Sequence, residues 1–132
     1  MTTAPFRPHS GRRRALLAAL AALALLAPPA AARDDVRATA ACGRGASAQL
    51  RVRAHDGTLE VELRVRRNHA GERWRVVLIH ERRVAWRGRA TTHDSGFRIR
   101  RTLPDYPGSD EISARATNPR GLTCQATATL PA

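Results

Sequence analysis

The sequence contains four histidines after residue 32, and imidazole is the side chain best suited to metal binding or proton transfer near neutral pH. They are His55, His69, His80 and His93. A protein metal site needs three or four converging ligands, often placed two residues apart on a strand. None of the four has such a partner in sequence, and His55, His69 and His93 fall in or beside turns, where polar residues are common. The sequence therefore predicts no metal ion and no other cofactor.

Acids and hydroxyls form no catalytic pattern either. Glu60 and Glu62 lie two residues apart in a segment of alternating polarity, so they share a predicted open sheet face with Arg64. A glycoside hydrolase instead needs its two carboxyl groups several ångströms apart across a cleft. The serines lack the Gly-x-Ser-x-Gly motif that exposes a nucleophile. We therefore expect no catalytic residue and a protein that is not an enzyme.

Arginine dominates the chemistry that remains. The chain carries 23 basic residues against 11 acids, a formal net charge of +12, and every basic residue is arginine. Ten of them alternate along predicted strands: Arg51, Arg53, Arg64, Arg66, Arg73, Arg75, Arg87, Arg89, Arg98 and Arg100. Their role could be solubility alone, which the exclusive use of arginine, typical of a GC-rich genome, favours. They could instead bind an anionic polymer such as a teichoic acid or an acidic glycan, or lipid headgroups.

Residues 1–32 have the organisation of a signal peptide. An arginine-rich start precedes an apolar run, residues 15–27, that is too short to span a bilayer comfortably. Two prolines and the small residues 30–32 then provide a cleavage pattern. We expect a cleaved signal peptide rather than a membrane anchor, no stable membrane span after processing, and a protein that is secreted or associated with the cell wall. Arg13-Arg14 approaches a twin-arginine signal, so the export route stays open.

The two cysteines, Cys42 and Cys124, both lie in the 100 residues that follow the signal peptide. An even pair in an exported chain is typical of a disulfide. This disulfide would close most of the domain into one loop and stabilise it by roughly 4 kcal/mol in the chain-entropy model. The bridge forms easily if the first and last predicted strands run parallel, because both cysteines then lie at the same end of the domain.

Short segments of alternating polarity follow one another from about residue 48 to residue 130. Residues 59–65, LEVELRV, show the pattern most clearly, and it indicates a strand with one buried face. Turn sequences such as Asp56-Gly57 separate the segments. Residues 33–41 show no clear period, so they are expected to be a flexible start to a single domain of residues 42–132. We predict seven strands, at about 48–54, 59–65, 73–80, 84–91, 97–103, 111–117 and 122–130.

The segments GERWRVVLIHE and ISARATNPRGLTCQATATL, together with the cysteine pair, resemble small secreted immunoglobulin-like or fibronectin-type-III-like domains of high-GC Gram-positive bacteria. Many such domains have no assigned function. The resemblance covers roughly residues 42–130 and implies an all-β, seven-stranded sandwich with one disulfide. Antibody domains differ, because they bridge two central strands and have a tyrosine where this chain has Leu122. The resemblance therefore implies a fold but no particular ligand.

The segment RWRVVLIHERRVAWRGR, residues 73–89, contains the candidate binding surface. Strand alternation directs Trp74, Val76 and Leu78 toward the core and their neighbours outward. The predicted surface comprises Arg73, Arg75, Val77, Ile79, Trp86, Arg87 and Arg89.

The place of Trp86 in that surface depends on the turn before it, because a shift of one residue moves every side chain to the opposite face. A two-residue turn puts Trp86 beside Val77 and Ile79, in an exposed apolar patch rimmed by arginines. A three-residue loop, residues 81–83, puts it beside Leu78 in the core. The sequence leaves both possibilities open.

We therefore expect a secreted, non-catalytic binding module that contacts an anionic cell-wall polymer, or another secreted protein, through an arginine-rich sheet face. Nucleic acid is disfavoured by the export signal and by the shortage of aromatic side chains for base stacking. The alternative is a secreted inhibitor of a protease or hydrolase. It would present the loop from Pro104 to Ser109, because two prolines pre-order this loop and lower the entropy cost of binding.

Overall fold

The computed structural model describes residues 1, 3 and 34–132, so the predicted signal peptide lies outside the described part of the chain apart from two residues. The described chain forms eight β-strands. They are β1 (Asp35–Gly43), β2 (Ala46–His55), β3 (Thr58–Arg66), β4 (Arg73–His80), β5 (Arg83–Thr91), β6 (Gly96–Pro104), β7 (Asp110–Thr117) and β8 (Thr123–Leu130). Within the described ranges, no helix is long and apolar enough to cross a membrane.

The strands pair antiparallel in two four-stranded sheets. Sheet A has the order β1-β2-β3-β6, and sheet B has the order β5-β4-β7-β8. Alternate residues of each strand face the other sheet and form one core, as the two-residue period requires. The largest fully buried side chains of this core include Trp74, Leu50, Leu59, Leu63, Leu78 and Ile112. The all-β prediction is confirmed, with eight strands in place of seven.

The additional strand is β1, which contains most of the segment that the sequence predicts to be flexible, residues 33–41. It pairs with β2 from Asp35, opposite Arg53, to Gly43, opposite Ala46. Its inward side chains pack against the core, and they are Val36, Ala38, Ala40 and Cys42. These side chains do alternate with outward ones, but two of the four are alanines, whose small apolar surface gives a weak periodic signal. Pairing with β2, rather than strong patterning, therefore orders this segment.

The predicted disulfide between Cys42 and Cys124 is present. Cys42 lies near the end of β1 in sheet A and Cys124 near the start of β8 in sheet B, with their Cα atoms 4.8 Å apart. The bridge therefore joins the two sheets. Since β2 begins just after Cys42 and β8 just before Cys124, both strands leave the bridge in the same direction, which is the arrangement in which the bridge forms easily.

Two buried polar side chains hold the loops that flank the start of β4. The hydroxyl of Thr92 accepts the N–H of Glu72 at 2.9 Å and donates to the carbonyl of His69 at 2.5 Å. The Oδ1 atom of Asn118 accepts the N–H groups of Arg120 and Leu122 at 3.1 and 2.8 Å. Because a buried polar group without a partner is costly, these bonds keep both loops in one position.

Candidate functional site

The outer surface of sheet B brings together five arginines, here termed the arginine face. Arg73 and Arg75 come from β4, Arg87 and Arg89 from β5, and Arg115 from β7. In the register of the sheet, Arg75 stands directly opposite Arg89. Val77 lies between Arg87 on β5 and Arg115 on β7. Directly opposite residues on antiparallel strands have Cβ atoms about 4.5–5.5 Å apart. The face therefore concentrates positive charge from three strands.

Within residues 34–132, these guanidinium groups form no ion pair with a carboxylate. Among the described residues, no Asp or Glu oxygen lies within 4.0 Å of any of the five. Within the same part of the chain, their hydrogen bonds to other side chains run only from Arg115 to Gln125, at 3.2 and 3.4 Å. Like charges placed directly opposite one another repel. An anion bound on this face would relieve that repulsion.

The outer surface of sheet A also carries arginines, but acids pair with many of them. The ion pairs join Arg51 to Asp35, Arg53 to Glu60, and Arg64, Arg98 and Arg100 to Glu62. Hydrogen bonds from Arg51 lower the pKa of Asp35. Burial alone would raise the pKa of Glu62, but the hydrogen bond from Arg100, at 2.7 Å, and the neighbouring arginine charges outweigh it and lower this pKa. On sheet A five outward arginines share three acids, and Arg37 and Arg66 form no ion pair within the described residues, whereas on sheet B none of the five arginines forms one.

An apolar strip crosses the arginine face. Val77 and Ile79 are half-buried, and Val84, opposite Ile79, is 47% exposed. An open groove of about 410 Å³ lies beside the strip, and its lining includes Arg75, Val77, Arg87, Arg89, Arg115 and Thr117. A second groove, of about 280 Å³, shares part of this lining and reaches Arg73. The face therefore combines guanidinium groups with a narrow apolar surface.

The hairpin between β4 and β5 determines the orientation of Trp86. His80 pairs with Arg83, so the turn has two residues. These are Glu81 and Arg82, with φ angles of 48° and 65°. Two successive positive φ angles are typical of a type I′ turn, whose twist matches that of the flanking strands. This agrees with the shorter of the two turns considered from the sequence.

A β-bulge after this turn then moves Trp86 to the side of the sheet opposite the one expected for a two-residue turn. Leu78 stands opposite Trp86 while Ile79 stands opposite Val84, so Ala85 is the extra residue. The bulge returns Trp86 to the inner side of β5, where it packs half-buried against the core. Trp86 is therefore not part of the arginine face, in contrast to its inclusion in the predicted surface.

The indole of Trp86 instead covers the core between the edge strands of the two sheets. The guanidinium of Arg101, on β6 of sheet A, lies 4.2 Å from the centre of the ring. A Cβ atom added to Gly88 would lie 2.2 Å from two atoms of the same ring. The ring thus lies across Gly88 with a cation over it, an arrangement that favours a structural role.

The sequence-based surface omits one member of the face, Arg115. Within β7, Ile112, Ala114 and Ala116 are buried and Arg115 is exposed on the outer side. Arg115 lies beside Val77 because β7 pairs with β4, a strand far from it in the chain. Strand order of this kind leaves no local signal in the sequence.

The structure does not gather the three turn histidines into one site. His55 forms an exposed contact with Asp56 at 3.0 Å, and none of His55, His69 and His93 belongs to a group of three potential metal ligands within residues 34–132. Such a group does form around the fourth histidine. It comprises His80, Glu81 and Asp110, with one possible ligand atom from each lying within 4.8 Å of the others.

The loop from Pro104 to Ser109 packs against His80 and Asp110. The ring of Tyr106 stacks on that of His80 with centroids 4.4 Å apart, and the Tyr106 N–H donates to Asp110 at 3.4 Å. The pKa of Asp105 is raised because its carboxyl group can donate a hydrogen bond to Asp110 when it is protonated. Burial and the negative charge of Asp110 raise this pKa further. The loop is therefore attached to the end of the sandwich where β4 finishes.

Comparisons with known proteins found no counterpart: no family model, curated protein or solved structure matches the chain.

Proposed function

We propose that the protein is a secreted, non-catalytic binding module that binds an anionic polymer of the cell envelope through the arginine face. The observation that carries the proposal is the absence, among the described residues, of any carboxylate within 4.0 Å of the five guanidinium groups. Sheet A supports the proposal by contrast, because five of its outward arginines form ion pairs with acids.

A polymer suits this face better than a single small anion. The guanidinium groups come from three neighbouring strands, and strands in a sheet lie about 4.7–4.9 Å apart. They therefore present positive charge over an extended surface, which matches a chain of repeated negative groups. The apolar strip at Val77 and Ile79 offers contact to the less polar parts of such a polymer. Guanidinium also binds phosphate and carboxylate groups through two parallel hydrogen bonds.

The proposed location and fold class rest on separate features. The signal peptide predicted for residues 1–32 directs export, and the disulfide is compatible with an oxidising, extracellular environment. The strand order supports an immunoglobulin-like, fibronectin-type-III-like sandwich. If β1 is set aside, β2-β3-β6 take the positions of strands A, B and E, and β5-β4-β7-β8 those of C′, C, F and G. We include this class in the proposal, with β1 as an added edge strand.

The test compares the wild-type protein with the double variant Arg75→Gln/Arg89→Gln in binding to purified wall polymer and to heparin. Counterion release lowers log K by about 0.7–0.9 per neutralised charge for each tenfold increase in salt, as measured for nucleic acids. Removing two of five contacts should therefore weaken binding by at least about tenfold and reduce the salt slope by roughly 1.4–1.8.

The matched control is Arg98→Gln/Arg100→Gln, which removes the same charge from the outer surface of sheet A, where Glu62 pairs with both arginines. The control should keep wild-type affinity and the wild-type salt slope. Equal weakening by both double variants would assign binding to net charge alone. Failure of the wild-type protein to bind either polymer at low salt would refute the proposal.

A further inference from the structure

A second polar feature lies at the far end of sheet B. His80 ends β4, five residues beyond Arg75, or about 17 Å along the strand at 3.3 Å per residue. The side chains of His80 and Asp110 are almost fully buried, 3% and 1% exposed, with Nε2 of His80 lying 2.5 Å from Oδ1 of Asp110. The second oxygen of Asp110, Oδ2, is buried and accepts no hydrogen bond from the described residues, although Asp105 can donate one to Asp110 when it is protonated. Such an orphaned carboxylate oxygen is costly unless something binds it.

Glu81 is the third member of the group, and the backbone holds it in place. Its N–H donates to the carbonyl of Glu111 at 3.1 Å, and its Oε1 accepts the N–H of Glu111 at 2.6 Å. The two-residue turn is thereby tied to the start of β7, next to Asp110. Glu81 itself is exposed, so the group is open to solvent on that side.

The group of His80, Glu81 and Asp110 carries negative charge that no arginine of the described residues pairs with. Asp105 adds a further carboxyl beside Asp110. Among the described residues, no arginine lies within 4.0 Å of the carboxyl oxygens of Glu81, Asp105 or Asp110, although the chain contains 23 basic residues. One imidazole faces these carboxylates. An imidazole with carboxylates and a buried, unpartnered oxygen is a donor set that suits a divalent transition metal.

We propose that His80, Glu81 and Asp110 form a binding site for a divalent transition metal, with Zn²⁺ as its ligand. Zinc binds imidazole nitrogen at about 2.0–2.1 Å and carboxylate oxygen at about 2.0–2.2 Å in a tetrahedral arrangement, which places ligand atoms about 3.4 Å apart. The three donors already lie within 4.8 Å of one another. Zinc binding lengthens the contact between His80 and Asp110 and draws Glu81 inward. The fourth position is left for water or an external ligand, and the site is independent of the proposed function.

The experiment is calorimetric titration of the wild-type protein with ZnCl₂, followed by thermal unfolding with and without zinc. We expect one zinc ion per chain and a melting temperature that rises with zinc concentration, because a ligand that binds the native state stabilises it. Cobalt in place of zinc should give the visible absorption of a tetrahedral site. The variants Glu81→Gln and Asp110→Asn should each weaken zinc binding by at least about tenfold, since even residues outside the ligand set change metal affinity by 10–100-fold.

Glu81→Gln keeps the proposal testable if the buried Asp110→Asn variant fails to fold, because Glu81 is exposed. The matched control is His55→Asn, which removes the exposed histidine that contacts Asp56 at 3.0 Å. It should leave zinc affinity and stoichiometry unchanged. The proposal is overturned if the wild-type protein shows no zinc binding or if Glu81→Gln binds zinc as tightly as wild type. Loss of binding in His55→Asn would overturn it as well.

Discussion

Replacing Gly88 by alanine tests the position of Trp86 more directly than removing the tryptophan itself. Gly88 lies on the inner side of β5, opposite the buried Val76. A Cβ atom at this position would lie 2.2 Å from two atoms of the indole and 3.1 Å from a third. Real Cβ contacts are not that short, so the ring of Trp86 has to move, and Arg101 over it has to move as well.

The expected cost follows from this geometry. Inserting a methyl group into packed surroundings typically costs about 1–3 kcal/mol. Because Arg101 is exposed and can move aside, we expect about 1–2 kcal/mol for Gly88→Ala. In a Trp86→Ala background the obstruction is absent. The same substitution should then stabilise the protein by about 0.5–1 kcal/mol, since glycine in a strand interior is entropically unfavourable relative to alanine.

The assay is urea unfolding of the wild type, both single variants and the double variant, followed by far-ultraviolet circular dichroism because the tryptophan signal itself changes. The interaction energy between Gly88→Ala and Trp86→Ala should be about 1.5–3 kcal/mol, with unchanged m values. If Gly88→Ala has the same effect with and without Trp86, the ring does not lie across Gly88. The bulge at Ala85 and the inward orientation of the indole would then both be wrong.

Two further predictions concern the disulfide and the ion pairs of sheet A. Replacing Cys42 and Cys124 by alanine removes a crosslink between residues separated by 82 positions. In the chain-entropy model this lowers the free energy of unfolding by about 4.5 kcal/mol, so the melting temperature should fall by roughly 20–30 °C. A fall of only a few degrees would contradict this prediction. The pKa values of Asp35 and Glu62 are lower in the folded than in the unfolded protein. Both carboxylates therefore stabilise the fold above pH 4–5, and this contribution is lost as the pH falls through their pKa values in the folded protein. The urea concentration at the midpoint of unfolding should decline from about pH 6 to pH 2, and Glu62→Gln should make this decline shallower. The same pH dependence in Glu62→Gln as in the wild type would show that the ion pairs of Glu62 do not stabilise the fold.

The strands predicted most clearly are those with one strongly apolar face. In β3, the inward positions from Leu59 to Val65 are large and fully buried, so their alternation is visible in the sequence. β1 has the same period, but two of its four inward residues, Ala38 and Ala40, are small and produce little contrast. The alternation of polar and apolar residues is thus clearest in strands that bury a large apolar area. A strand ordered mainly by pairing with its neighbour is not predicted from this alternation.

The candidate sites depend on contacts between strands that the alternation of polar and apolar residues does not predict. The bulge at Ala85 has no glycine or proline to mark it, yet it alone decides the side on which Trp86 lies. Arg115 joins the arginine face only because β7 is the neighbour of β4. His80 meets Asp110 from 30 residues away for the same reason. Sequence reasoning therefore identifies the outward arginines, but sheet order determines which residues lie beside them.

The distribution of acids along the sandwich separates the two proposed sites electrostatically. Five acids lie where β4 finishes and β7 begins or in the adjoining segments: Asp34, Glu81, Asp105, Asp110 and Glu111. The arginine pair at Arg75 and Arg89 is about 17 Å from His80 along the strand, and Arg87 and Arg115, which flank Val77, are about 10 Å from it. The Debye length at physiological ionic strength is about 8 Å, so charges at both separations lie beyond it and are largely screened from the zinc site. Zinc at one end should thus leave polymer affinity at the other unchanged, and each proposal can fail without the other.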